Sequence, residues 1–245
     1  MIDFPINQNN LETVSTDYNF LMLYNFLKRY SFPLFLLFLM VGCQTPSLKD
    51  FSFSNKKAPI PLKPVNFFSV EFLPADFAKV AVLPVHQKLE SSVEVSFVDG
   101  TLINELNGKG RLEAVPVSKD ALVELTGESS LSSTDPLPPD LLARLRSKYG
   151  ADGVLLTDIT HYYPYKPISI GLRCKLADAS TGEILWSADT VYNSGNQEIQ
   201  VAALNFQKKK SGSPFPLEDS GSILQSPRYF TRFVASTVLD TLPRR

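Results

Sequence analysis

Cysteine and histidine are nearly missing from this chain. Its 245 residues hold two of each, Cys43 and Cys174, His86 and His161. So sparse a set argues against a Cys/His zinc site and allows one disulfide at most. An excess of charge of either sign is also missing. Lys and Arg number 24 against 25 Asp and Glu, for a net charge of −1, which gives no general electrostatic reason to bind nucleic acid. No glycine-rich phosphate loop occurs, because Gly108-Lys109-Gly110 has neither the spacing nor the Ser/Thr of a P-loop. There is no Gly-x-Ser-x-Gly and no internal repeat. Nor does any apolar run reach the roughly 20 residues that a membrane-spanning helix needs.

What the chain does have near its start is a short apolar run. From Tyr30 to Gly42 there is no charge, Lys28-Arg29 stand just before, and Gly42-Cys43 close the run. Such a segment could be a membrane span, one half of a disulfide, or a processing site. A core of about 10–14 residues suits a secretory signal better than a span. Met40-Val41-Gly42-Cys43 resembles the lipobox of bacterial lipoproteins, although that family usually has Leu where this chain has Met40. The resemblance implies cleavage after Gly42 and acylation, palmitate included, of the Cys43 thiol. An uncleaved anchor or a buried N-terminal helix is the plainer alternative. Enterobacterial lipoproteins kept at the inner membrane carry Asp after the cysteine, where this chain has Gln44. The resemblance therefore implies an outer-membrane anchor facing the periplasm.

Residues 1–21 hold Asp3, Glu12 and Asp17 and no Lys or Arg, the reverse of a signal's basic start. A start at Met22 gives a more compact signal than a start at Met1. With 18 prolines against 12 glycines, several of the prolines at 59–74 and 136–139, linkers are expected in those places. The expected organisation is a signal peptide over 1–42, a lipidated tether over 43–75 and a periplasmic domain over 76–245. Acylation of Cys43 would leave Cys174 a free thiol.

Within the domain, Lys79–Val85 reads as a buried strand ending near Pro84. Ser91-x-x-Glu94 has capping-box spacing, and Val95, Val98, Leu102 and Leu106 follow at helical intervals up to Asn107-Gly108. Arg111–Val117 reads as a strand, and Ser118 as the cap of a helix stopped by Gly127. Leu141, Leu142, Leu145 and Tyr149 make one helix face before Gly150. Gly153–Ile159 is a third strand. Ile168, Ile170, Leu172, Cys174 and Leu176 then alternate with Ser169, Gly171, Arg173 and Lys175, which predicts a half-buried strand with one wet face. Asp178–Gly182 turns it into a partner running from Glu183 to Tyr192. Ile199, Ala202, Ala203 and Phe206 mark an amphipathic helix. Ser226-Pro227 opens a last helix through Phe230, Phe233, Val234, Thr237 and Val238. The sum is a single layered α/β domain, a mixed sheet with an antiparallel hairpin and helices packed on it.

Ala151–Ile159, followed by Ile170–Trp186 with its Ser180-Thr181-Gly182-Glu183-Ile184-Leu185-Trp186, resembles the curli-secretion lipoproteins. It also resembles their relatives among lipoprotein activators of penicillin-binding proteins, which share a domain like the N-terminal domain of the Tol–Pal translocation protein. The resemblance covers about residues 79–241. It implies a non-enzymatic envelope protein, either an accessory of a secretion complex or a regulator of peptidoglycan synthesis. Its partner would be an envelope protein or further copies of itself. A curli-type pore is disfavoured, because Thr160–Pro167 is too short for a hairpin that needs about 9–11 residues in each membrane strand. Asn193–Gln225 shows no barrel-like alternation either.

The chemistry-bearing residues are few. Asp158 and His161 at a strand end suggest an alternative function as a periplasmic enzyme or small-ligand binder. They lack a partnered nucleophile or a second carboxylate at useful spacing, so no catalytic, cofactor or metal residues are assigned. His86 reads as a loop residue, and Cys174 and Trp186 as packing groups. Tyr162, Tyr163 and Tyr165, on a proline-bent loop, are the candidate partner-binding residues, with cover for the sheet edge as the competing role. Lys208-Lys209-Lys210 reads as a solvated run; anionic lipid headgroups would suit it if it has a function.

Overall fold

A computed structural model of the chain describes residues 62, 64, 66–87, 95–211 and 222–245. The expected signal, cleavage and lipidation residues, Gly42 and Cys43, lie outside the described residues, as does the Ser91-x-x-Glu94 box. Among the described residues seven strands form one sheet in the order β1-β7-β6-β5-β2-β4, with β3 also on β5. The strands are β1 (Phe67–Ser69), β2 (Lys79–Val82), β3 (His86–Gln87), β4 (Glu113–Pro116), β5 (Gly153–Tyr163), β6 (Ser169–Asp178) and β7 (Ile184–Asn193). The helices are α1 (Phe97–Gly108), α2 (Lys119–Thr126), α3 (Leu141–Tyr149), α4 (Gln197–Ser211) and α5 (Pro227–Leu239). Strands β2, β4 and β5 run parallel, whereas β5, β6, β7 and β1 are antiparallel neighbours. The fold is the mixed, layered α/β domain that the sequence pattern predicts.

Local signals place the helices. Ser118 Oγ accepts from the Ala121 N–H at 3.2 Å and opens α2, and Gly127 closes it at φ 84°. Pro227 in the first turn of α5 needs no N–H partner there. The whole predicted face of α5 is buried, with Phe230, Val234 and Val238 at 0% exposure. Among the described residues no helix is long and apolar enough to cross a membrane.

The two faces of the sheet carry separate cores. One packs Leu155, Ile170, Leu172, Cys174, Leu176 and Trp186 of the strands against Leu102 and Leu106 of α1 and the aromatic face of α5. The other packs Ala81, Val154 and Leu156 against Leu122 of α2 and Leu141 and Leu145 of α3. Each fully buried Leu, Phe or Val contributes about 1.5–3 kcal/mol of transfer energy, so the larger cluster holds most of the stability. Gly153 sits where a Cβ would come within 2.2 Å of the Phe77 ring, so a side chain there would displace that ring.

Three boundaries differ from the sequence reading. The folded domain begins before residue 76, because Phe67–Ser69 adds to β7 and Leu73 is buried, its N–H bonded to the Arg244 carbonyl at 2.8 Å. Three residues are too few to show alternation, which is why this edge strand read as tether. His86, expected in a loop, pairs with Asp158 in a two-residue parallel strand beyond the Pro84 break. Strand β5 runs four residues past Ile159, through a bulge between Ile159 and His161. Thr160–Tyr163 is therefore strand rather than connection.

Candidate functional site

The bulge at Thr160 decides which side chains meet at the outer end of β5. Before it, Leu155 and Ile159 point to the large core, while Val154, Leu156 and Asp158 point to the opposite face. One extra residue restores the alternation beyond it, so Tyr162 packs against the large core and His161 and Tyr163 share the face of Asp158. Bulges of this kind re-aim side chains at sheet ends.

Asp158 is 5% exposed and its carboxylate is already engaged. Ser133 donates its backbone N–H at 2.9 Å and 3.2 Å to the two oxygens, and its hydroxyl to Oδ2. Lys175 Nζ donates to the Ser133 carbonyl. Asp158 thus pins the turn of the Ser/Pro loop onto the sheet. His161 lies past the bulge, opposite Gly171, and is exposed. Among the described residues no hydrogen bond or ion pair joins Asp158 to His161, and the contact shown at Asp158 is the clasp on Ser133. The register partner of Asp158 on β6 is Arg173, whose Nε donates to Asp189 Oδ2 at 2.7 Å.

The three candidate tyrosines separate. Tyr162 is half-buried, its ring 6.5 Å from that of Phe97, and burial raises its phenol above the ordinary value. Tyr163 and Tyr165 face outward at 46% and 70% exposure, with rings edge to face at 5.7 Å. Val191 continues this face onto β7, opposite Gly171, at 54% exposure. Phe68 extends it to β1, opposite Ser187. Helices α2 and α3 pack over the β2/β5 part of this face, and at its other end Tyr163, Tyr165 and Val191 stay exposed around the buried Ser169.

Other singled-out residues serve packing. Cys174 is fully buried in the large core; burial pushes its thiol up to about 12, helped by the charges of Asp158 and Asp189 and opposed by a Thr157 hydrogen bond. A thiol held that high is inert as a nucleophile at neutral pH. Trp186 is buried and donates Nε1–H to Thr241 Oγ1 at 2.9 Å. Within the lysine run, Lys210 pairs with the buried Glu105 at 3.5 Å and lies over the Phe206 ring. Arg232 donates to the same carboxylate at 2.7 Å. Among the described residues no group of three or more His, Cys, Asp or Glu side chains is placed to hold a metal. Sequence reasoning missed Ser133 and the role of Arg173. The only signal was Arg173 and Lys175 on the wet side of β6, since nothing local marks Ser133 within its loop.

No protein-family model matches the chain, and no curated protein matches it. Among solved structures, the PelC dodecamer from Paraburkholderia phytofirmans is 20% identical over 56% of this chain and 86% of that chain, at a TM-score of 0.38. The lipoprotein GNA1162 from Neisseria meningitidis is 17% identical over 56% of this chain and 99% of that one, at 0.37. The LpoB C-terminal domain from Salmonella enterica is 24% identical over 47% of this chain and 82% of that one, at 0.35.

Proposed function

We propose that this chain is a lipid-anchored protein of the bacterial cell envelope that works by binding another envelope protein, or further copies of itself, rather than by catalysis. The observation that carries the binding role is the outward aromatic tip. Tyr163 and Tyr165 stand edge to face at the end of β5–β6, beside the exposed Val191. Exposed aromatic side chains next to apolar surface are the usual anchors of protein interfaces. The anchor would be acyl chains, palmitate among them, on Cys43 after cleavage at Gly42, with the domain facing the periplasm from the outer membrane. The resembled families suggest two settings for the work, a secretion complex or the control of peptidoglycan synthesis. The clasped state of Asp158 supports a binding role over chemistry at Asp158 and His161.

Two experiments test the reading. Labelled palmitate should enter the wild-type chain and not a Cys43→Ala variant, which should leave the membrane fraction; a variant that stays membrane-bound and labelled would defeat the anchor. A photo-crosslinking residue at Tyr163 or Tyr165 should trap a discrete product in intact envelopes, and one at Arg146 on α3 should not. Equal trapping from both places would remove the interface.

A further inference from the structure

A cleft of about 330 Å³ opens between the end of β3, the Ser132–Thr134 turn and the outer part of β5 and β6. Its polar lining is His86, Ser132, Thr134, Asp158, Thr160 and Arg173. That volume is at the lower end of small-molecule sites, which run from about 300 to 1,000 Å³.

The lining offers several unused donors beside acceptors that are partly engaged. Arg173 gives Nε to Asp189 at 2.7 Å, and its two Nη groups have no partner among the described residues. His86 meets Ser130 Oγ through Nδ1 at 3.1 Å, which leaves Nε2 without a partner among the described residues. Thr160 Oγ1 is buried with no hydrogen-bond partner among the described residues, an unfavourable state unless something binds it. The bulge sets that hydroxyl over Gly171, where a Cβ would come within 2.4 Å of it. On the acceptor side, both Asp158 oxygens are held by Ser133, and the Ser132 and Thr134 hydroxyls bond each other at 2.8 Å.

We propose that this cleft binds a small carboxylate, with the free Nη edge of Arg173 as the fork and the Thr160 hydroxyl and His86 Nε2 as flanking donors. A planar guanidinium offers two parallel N–H groups that match a carboxylate. The nearby charges are Arg173 and Lys175 against Asp158 and Asp189, which balance. The ligand is therefore held by directed hydrogen bonds and one cation already paired once, which suits a monoanion over a phosphate dianion. Asp189 tempers the site, since its carboxylate on Nε partly neutralises the same guanidinium. The assignment stands apart from the tyrosine tip, and failure to crosslink from Tyr163 leaves it intact.

The test uses the full chain in detergent, titrated with N-acetylglycine, N-acetylglycinamide and inorganic phosphate while side-chain and backbone amide resonances are followed. N-acetylglycine should saturate with a Kd of about a millimolar and should bind better than phosphate. The amide should not bind. Arg173→Gln should weaken binding by about tenfold, and Thr160→Val by about threefold. Asp189→Asn should tighten it by about threefold, because the neutralising carboxylate is gone. Arg173→Gln and Asp189→Asn both break the Arg173–Asp189 ion pair, so a merely structural role predicts the same loss in each. Equal losses in those two variants, binding of the amide as tight as the acid, or tighter binding of phosphate would overturn the proposal. Thermal unfolding of each variant separates lost binding from lost fold, and Thr160→Val, nearly isosteric, keeps the test open if the charge variants unfold.

Discussion

Along β6, neighbouring residues meet opposite surroundings. Ile170, Leu172, Cys174 and Leu176 are at most 1% exposed, under the helices of the large core. Arg173 and Lys175 between them reach polar partners at a partly open surface, Asp189 in one case and the Ser133 carbonyl in the other. Ion pairs on the two sides differ in the same way. On the covered side, Glu105 is 3% exposed and takes both Arg232 and Lys210, so its charge is matched by two cations. On the open side, Arg173 is paired once and keeps donors to spare. One face closes the fold, and the other leaves valence for something outside it.

The largest expected effect breaks the covered side. Leu172→Ala should lower the unfolding free energy by about 2–5 kcal/mol through the cavity it leaves, measured by urea denaturation. A cost under 1 kcal/mol would mean that this core is loosely packed.

Glu105→Gln comes next, at about 1–3 kcal/mol near neutral pH, because it removes the charge that two cations share. Burial alone would raise the Glu105 carboxyl, but the Arg232 hydrogen bond, the charges of Lys210 and Arg232, and Ser236 outweigh it and hold the group below the ordinary glutamate value. The folded state therefore binds fewer protons than the unfolded state in this window. The stabilisation is present above the ordinary glutamate range and is lost as pH falls through the lower, folded value. Asp99 acts with the opposite sign. Burial raises it, against the Val85 N–H and the charge of Lys119, so its contribution is present at low pH and is lost as pH rises through the folded value. Glu105→Gln should therefore flatten the acid limb of a stability–pH curve; an unchanged limb would mean that other carboxylates set it.

Asp158→Asn should cost about 1–2 kcal/mol and loosen the Ser132–Thr134 turn selectively. Hydrogen exchange at the Ser133 amide reads this directly, and unchanged protection there would remove the clasp. The smallest effect sharpens the contrast. A Tyr163→Ser/Tyr165→Ser variant should change stability by no more than about 0.5 kcal/mol while losing the product crosslinked from Val191.

Much of this division was legible in the sequence, because period-2 alternation along Ile168–Leu176 and the 3.6-residue pattern of α5 come directly from burial on one side. The turn chemistry was equally direct, in the Ser118 cap and at Gly127 and Gly150, whose left-handed φ values are 84° and 63°. What could not be read depends on distance in sequence. Ser133 reaches Asp158 across 25 residues, with no local signal at either end. The bulge at Thr160 was hidden because one inserted residue leaves composition unchanged while reversing which tyrosines face out. Thus Tyr162, grouped by sequence with Tyr163 and Tyr165, packs on Phe97 instead. The edge strand Phe67–Ser69 was lost for want of length.

We propose the outward tip of β5–β6 as the working surface of an anchored protein. It is tested most directly by a photo-crosslinking residue placed in turn at Tyr163, Val191 and Arg146, in envelopes from cells making the chain at its normal level. A discrete crosslinked species is expected from Tyr163 and Val191, absent from Arg146 and lost when Cys43→Ala releases the chain from the membrane. Crosslinks of the same mass and yield from all three positions, or none from Tyr163 and Val191, would contradict it.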